Sequence, residues 1–131
     1  MTVQPRDETV GFVLALIAHD RMKEPMVELA HEHRALLSRL RLVATSTTGT
    51  RLREALALPV ELAASGPSGG DLQIGARIVG GGVDALVFLR DPLSAHPHEP
   101  DIQALLKVCD VHDVALATNV ASARILLTAL A

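Results

Sequence analysis

Asp71 closes the run Ser65-Gly66-Pro67-Ser68-Gly69-Gly70, small residues that let backbone N–H groups and hydroxyls approach a ligand before a carboxylate is delivered beside it. Two further segments pair imidazole with carboxylate: His19-Asp20, with Lys23 one helical turn on, and His98-Glu99-Pro100-Asp101. That pairing suits proton transfer and the polarising of a carbonyl. Asp71 and Asp101 read either as general bases or as acids placed in a first helical turn. At neighbouring strand ends they could also share a proton. Thr45-Ser46-Thr47-Thr48-Gly49 adds a second group of hydroxyls beside a glycine. Thr45, Thr47, Thr48 and Ser65 suit a phosphate or carboxylate held at helix N-termini, with Gly49 and Gly66 allowing close approach. Capping of the following helix is the other reading, although a cap needs one hydroxyl and not four. Lys23 either points at the same anion or is a solvated helix lysine.

Two chemistries are set aside. No Walker-type Gly-Lys-Thr is present, which disfavours a nucleoside triphosphate. His96, His98, Glu99 and Asp101 could suggest a metal, but Pro97 and Pro100 stiffen the segment and no Cys or His partner is spaced as for zinc. No metal and no cofactor are expected.

The elements that must position these groups alternate. Apolar runs at Phe12–Ala18, Leu42–Ala44, Val60–Ala63, Ala85–Phe88 and Val114–Ala117 read as strands, the first buried on both faces. Between them, Met22, Met26, Leu29, His33 and Leu36 mark one helix face. A second helix is expected from about Thr50 to Leu58, ended by Pro59, and a third from near Asp71 to Val79, closed by Gly80-Gly81-Gly82. Ile102, Leu105, Leu106 and Cys109 stripe a helix after Pro100, where Cys109 reads as packing, and Val120–Leu130 forms the last. Strict β-α alternation predicts an α/β fold: a single three-layer domain over residues 1–131, with a five-stranded parallel sheet and helices on both faces. Ligands bind such sheets beyond the carboxyl ends of the strands. His19-Asp20, Thr45 to Thr48, Ser65 to Asp71, Asp91 to Asp101 and Thr118-Asn119 all follow strands, so five loops are expected to make one pocket.

Composition narrows the partners. A formal net charge of −3 and two Phe with no Tyr or Trp argue against nucleic acid. The run Phe12 to Ala18 is too short to span a bilayer, and no cleavable signal is read in the polar first ten residues. One cysteine precludes an internal disulfide and fits a reducing compartment, so a cytoplasmic location without membrane partners is expected.

Together these motifs resemble methylglyoxal synthase along nearly the whole chain. The resemblance rests on Ala18-His19-Asp20 with Lys23, Ala44 to Gly49, Ser65 to Gln73, Asp91-Pro92-Leu93, Pro97 to Asp101 and Ala117 to Ala121. It implies a phosphate-eliminating lyase that converts dihydroxyacetone phosphate to methylglyoxal and inorganic phosphate through an enediolate. It further implies a metal-free homohexamer inhibited by orthophosphate. By motif, Asp71 is expected as the base, with His98 and His19 at the carbonyl and hydroxyl end of the substrate. Lys23, Thr45, Ser46, Thr47, Thr48, Ser65 and Gly66 would form the phosphate site, and Asp20, Asp91 and Asp101 would orient groups or share protons. Two departures stand out. The family usually has glycine where Ser46 stands, and the tail arginine with which some members serve a neighbouring subunit is expected to be absent. The alternative is a regulatory module that binds a phosphate ligand without chemistry.

Overall fold

The computed structural model describes residues 11–131; the polar first ten residues of the expected domain lie outside the described residues. In chain order the elements are β1 (Val13–Ala18), a 3-10 turn Asp20–Met22, α1 (Lys23–Glu32), α2 (Arg34–Leu37), β2 (Arg41–Ala44), α3 (Ser46–Leu56) and β3 (Val60–Leu62). A 3-10 turn Gly66–Ser68 follows, then α4 (Gly70–Val79), β4 (Ala85–Leu89), α5 (Glu99–Val111), β5 (Ala115–Ala117) and α6 (Val120–Leu130). The strands form one parallel sheet of five in the order β3-β2-β1-β4-β5.

Strand periodicity divides the core in two. Leu14, Leu16 and Ala18 of β1 pack with Ala85, Val87 and Leu89 of β4 against Met26, Leu29, Leu52 and Leu127, that is, against α1, α3 and α6. The intervening Ala15, Ile17, Leu86 and Phe88 face the other way, onto Ile74, Ile78, Ile102, Leu105 and Cys109 of α4 and α5. Successive residues of a strand point to opposite faces, so β1 and β4 can be apolar throughout only because both faces are covered. The expected three-layer α/β fold is the one observed.

Strand order reverses between β1 and β4. From β1 the chain winds outward through β2 and β3, then returns to place β4 on the other side of β1. In open α/β sheets this switch point leaves a crevice beyond the strand ends, because the helices on either side diverge from it.

Several local expectations are corrected. The helix face read from Met22 to Leu36 is broken at His33, whose N–H is shared between Leu29 O and Ala30 O at 3.2 Å each and whose Nδ1 lies 3.0 Å from Leu29 O. The second helix begins at Ser46 and not near Thr50: Thr45 is extended, and its carbonyl accepts the Gly49 N–H at 2.9 Å. Hydroxyl-bearing residues are weak helix formers, yet Ser46, Thr47 and Thr48 occupy the first turn, where their side chains lie beside the strand ends. Gly49 belongs to packing rather than to a cradle, since a Cβ there would run into the Leu62 side chain. Finally, α5 starts at Glu99, with Pro100 in its first turn, where no N–H is needed.

Candidate active site

A cavity of about 360 Å³ opens at the switch point. The loops after β1, β2, β3 and β4 line it, bringing together His19, Asp20, Lys23, Thr45, Thr47, Gly66, Asp71, Asp91 and His98 of the expected residues. The fifth loop contributes no lining residue, because β5 is an edge strand and Asn119 accepts the Ser122 N–H at 2.8 Å to cap α6. A larger hollow of about 790 Å³ sits around Val13, Arg41 and Glu61, at the opposite end of the strands from the candidate residues.

His19 leaves β1 with its N–H on Leu89 O at 3.1 Å, which anchors the loop to the end of β4. Its Nδ1 receives the backbone N–H of Asp91 at 2.9 Å. A backbone N–H can only donate, so Nδ1 is an acceptor and the neutral ring carries its proton on Nε2. That Nε2 is buried without a hydrogen-bond partner in the protein. Burial, reinforced by the nearby His96, His98, Lys23 and Arg90 charges, lowers the His19 pKa from 6.5 to about 4. At neutral pH the side chain is therefore an uncharged N–H donor on the wall of the cavity.

Asp71 is 1% exposed, in the first turn of α4, and neither carboxylate oxygen has a hydrogen-bond partner in the protein. His98 Nε2 lies 3.7 Å from Oδ2, beyond hydrogen-bond length. Burial raises the Asp71 pKa above the usual carboxylate range; the His98 charge opposes this and Asp101 adds to it. Among the described residues, the buried side-chain atoms left unpartnered are His19 Nε2, both Asp71 oxygens, His98 Nδ1 and Arg90 Nε. Unpaired buried polar atoms are costly in a folded protein, and here all but the arginine belong to three candidate catalytic residues.

Glycine makes this arrangement possible. A Cβ on Gly66 would stand 3.2 Å from Asp71 Oδ1 and 3.6 Å from His98 Nε2, inside the space between them. At Gly70 a Cβ would strike the Ala64 carbonyl, while Gly69 adopts φ +97°, a conformation that favours glycine.

The other hydroxyls divide. Thr45 does not cap α3 with its side chain; its hydroxyl lies 3.3 Å from Thr48 Oγ1. Thr48 is buried and ties the helix to the end of β1, accepting the Ala18 N–H at 3.1 Å and a proton of Lys23 Nζ at 3.3 Å. It does not line the cavity, nor do Ser65 and Asp101, while Ser46 opens onto a neighbouring hollow with Thr50 and Arg51. Lys23 bonds the Ala18 carbonyl and stands 3.9 Å from Asp20 Oδ1; burial lowers its pKa. The first-turn N–H groups of α3 have no partner within the helix and face the same end of the sheet. Asp91 organises its own loop: Oδ1 accepts the Leu93 N–H at 3.2 Å and Oδ2 accepts the Ser94 hydroxyl. Hydrogen bonding from Ser94 holds its carboxyl below the usual range.

Sequence reasoning did not place His96 among the working residues, yet its ring stacks on His19 at 3.9 Å between centroids, tilted 30°. The spacing His96-Pro97-His98 was the available signal, read only against a metal. His19, His96 and His98 do bring ligand atoms within 4.8 Å of one another. The set does not fit a metal as built, because the His19 lone pair already accepts the Asp91 N–H and its inward-facing Nε2 carries a proton.

The family model of the MGS-like domain matches residues 25–118. The chain is 60% identical over 118 residues to a methylglyoxal synthase of Burkholderia lata, spanning 90% of this chain and 91% of that protein. It is 59% identical over the same length to a methylglyoxal synthase of Burkholderia thailandensis, with the same coverage of both. A crystal structure of methylglyoxal synthase from Elizabethkingia anophelis superimposes with a TM-score of 0.84 at 36% identity, covering 89% of this chain and 77% of that one. The chain thus belongs to the methylglyoxal synthase family of enzymes, within the MGS-like domains.

Proposed function

We propose that this enzyme converts dihydroxyacetone phosphate to methylglyoxal and inorganic phosphate through an enediolate, with no metal taking part. The observation that carries the reading is Asp71: a buried carboxylate with two unpartnered oxygens, facing His98 and sharing a cavity with a neutral His19 N–H donor. Asp71 takes the proton from the hydroxymethyl carbon, and the electron pair moves onto the carbonyl oxygen, where His19 Nε2–H and His98 stabilise the negative charge. The enediolate then expels phosphate: the hydroxyl on the deprotonated carbon becomes the aldehyde carbonyl as its proton passes to the phosphate, the double bond shifts to the methylene carbon, and the C–O bond to the ester oxygen breaks with its electrons leaving on the phosphate. The enolate that remains takes back at its methylene carbon the equivalent of the proton that Asp71 removed, giving methylglyoxal. Atoms balance without water or a redox partner.

Lys23, Thr45, Thr47 and the Gly66 backbone, with the first turn of α3, hold the phosphate oxygens as charge accumulates on them. Thr48 fixes Lys23, and Ser46 and Ser65 flank the same region. Asp20 and Asp91 orient Lys23 and His19, and Asp101 acts on Asp71 from the first turn of α5. The regulatory module is not favoured, since phosphate binding alone gives no reason to bury an unpartnered Asp71. Orthophosphate should compete with substrate, and inhibition independent of substrate concentration would count against this cradle.

We further propose a homohexamer, supported by exposed apolar side chains including Leu72, Val79, Val111 and Ile125. Light scattering that returned a monomer would refute it. A cytoplasmic location accords with the buried free thiol of Cys109; among the described residues no helix is long and apolar enough to cross a membrane. The reaction itself is tested by colorimetric detection of methylglyoxal formed from dihydroxyacetone phosphate in excess chelator. Product at undiminished rate is expected. Turnover that depends on added zinc or magnesium would overturn the metal-free mechanism.

A further inference from the structure

We propose that His96 is a positioning residue that holds His19 in the ring orientation and tautomer that present Nε2–H to substrate, an inference that rests on the reaction proposed above. Three contacts carry it. The two imidazoles stack at 3.9 Å between centroids with 30° between planes. His96 Nε2 lies 3.2 Å from the Asp91 carbonyl. The Asp91 N–H lies 2.9 Å from His19 Nδ1. A carbonyl only accepts, so His96 carries its proton on Nε2 and donates it there. Asp91 is thus gripped on both sides of its Cα, by His19 through its N–H and by His96 through its C=O. Its carboxylate is meanwhile engaged by Leu93 and Ser94.

The walls around His19 differ in kind. One is Phe88, whose ring meets His19 edge-on at 5.2 Å and 82° from within the core strand β4. The other is His96, half-buried on the loop between β4 and α5. Removing that loop-borne face leaves the His19 ring free to turn about χ2, which exchanges the positions of nitrogen and carbon and abandons the Asp91 N–H. The Asp91 carboxylate still holds its loop through the Leu93 N–H and the Ser94 hydroxyl, so the stack, rather than the hydrogen bond to the carbonyl, is the larger part of what His96 supplies.

His96→Ala and His96→Phe separate these effects, the phenylalanine keeping a ring face but no donor. Two readouts are taken on each: kcat and KM for methylglyoxal formation from dihydroxyacetone phosphate, and the ring ¹⁵N shifts of His19, which report its tautomer. The wild-type protein is expected to show the Nε2–H pattern. In His96→Ala that pattern should average out, with kcat falling about tenfold or more while KM moves little, as for a misplaced catalytic group. His96→Phe should recover both. A His96→Ala protein with the wild-type tautomer pattern and kcat within about twofold would overturn the inference. So would a loss that His96→Phe fails to recover. If the wild-type enzyme formed no methylglyoxal, the reaction would be wrong, yet the tautomer measurement would still decide whether His96 holds His19.

Discussion

Gly66 lies so close to Asp71 that a Cβ on it would sit 3.2 Å from the Oδ1 carboxylate oxygen, tighter than ordinary van der Waals contact. The glycine is thus read by the site and not by the fold. Gly66→Ala should leave the thermal midpoint close to wild type, because its backbone is not in the left-handed region, while turnover drops by at least about tenfold through displacement of Asp71 and His98. Gly70→Ala provides the contrast: a Cβ there meets the Ala64 carbonyl, so stability should fail before activity is measured. Comparable thermal midpoints for the two variants would contradict this division.

Thr47 and Thr48 should part in the same way. Thr48→Val removes the acceptor for the buried Ala18 N–H and the partner of Lys23. A buried donor left unpaired costs about 1–3 kcal/mol, so chemical denaturation should show a lower unfolding free energy of that order. Thr47 is exposed and lines the cavity; Thr47→Ala should keep its stability and raise KM. Equal stability in Thr48→Val and wild type would mean that its hydroxyl is not the tie between β1 and α3.

The strands were legible in the sequence because a two-faced buried strand admits almost no polar residue, and β1 and β4 obey that rule to their last positions. The site was legible because polar clusters follow those strands at one edge of the sheet. Element starts were not. Thr45 to Thr48 have side chains that disfavour helix, and only the Thr45 carbonyl accepting the Gly49 N–H reveals that the first turn is already formed. Nor could spacing along the chain reveal that His96 stacks on His19, a residue brought beside it by the pairing of β1 with β4. Pairing partners distant in sequence are chosen by the whole fold.

Acid should weaken the fold through His19. Its pKa is about 4 in the native protein against 6.5 for the free side chain. A lowered native value means that the unfolded chain takes up a proton between those limits that the native state refuses. Stability therefore falls as pH drops from about 6.5 toward 4, by roughly 2 kcal/mol between pH 7 and 5 from this group. Denaturation of wild type and His19→Gln at both pH values isolates the contribution. A pH dependence that is the same in both proteins would exclude it.

Asp71→Asn separates chemistry from binding. The substitution preserves shape and can still hydrogen-bond, but an amide cannot accept a proton from carbon. If Asp71 is the base, turnover should fall by at least about 10²-fold, the lower range for general base catalysis. Affinity for a phosphate-bearing analogue should change little, since Lys23, Thr45 and Thr47 remain in place and the lost interaction belongs to the transition state. Removal of a buried, unpartnered carboxylate should also leave the fold no weaker, because its ionised form is disfavoured by burial in the native state. A residue serving only in the first turn of α4 would behave differently: asparagine would substitute with small loss and activity would survive. Retention of most turnover by Asp71→Asn, at wild-type stability, would falsify its assignment as the base and with it the path through the enediolate.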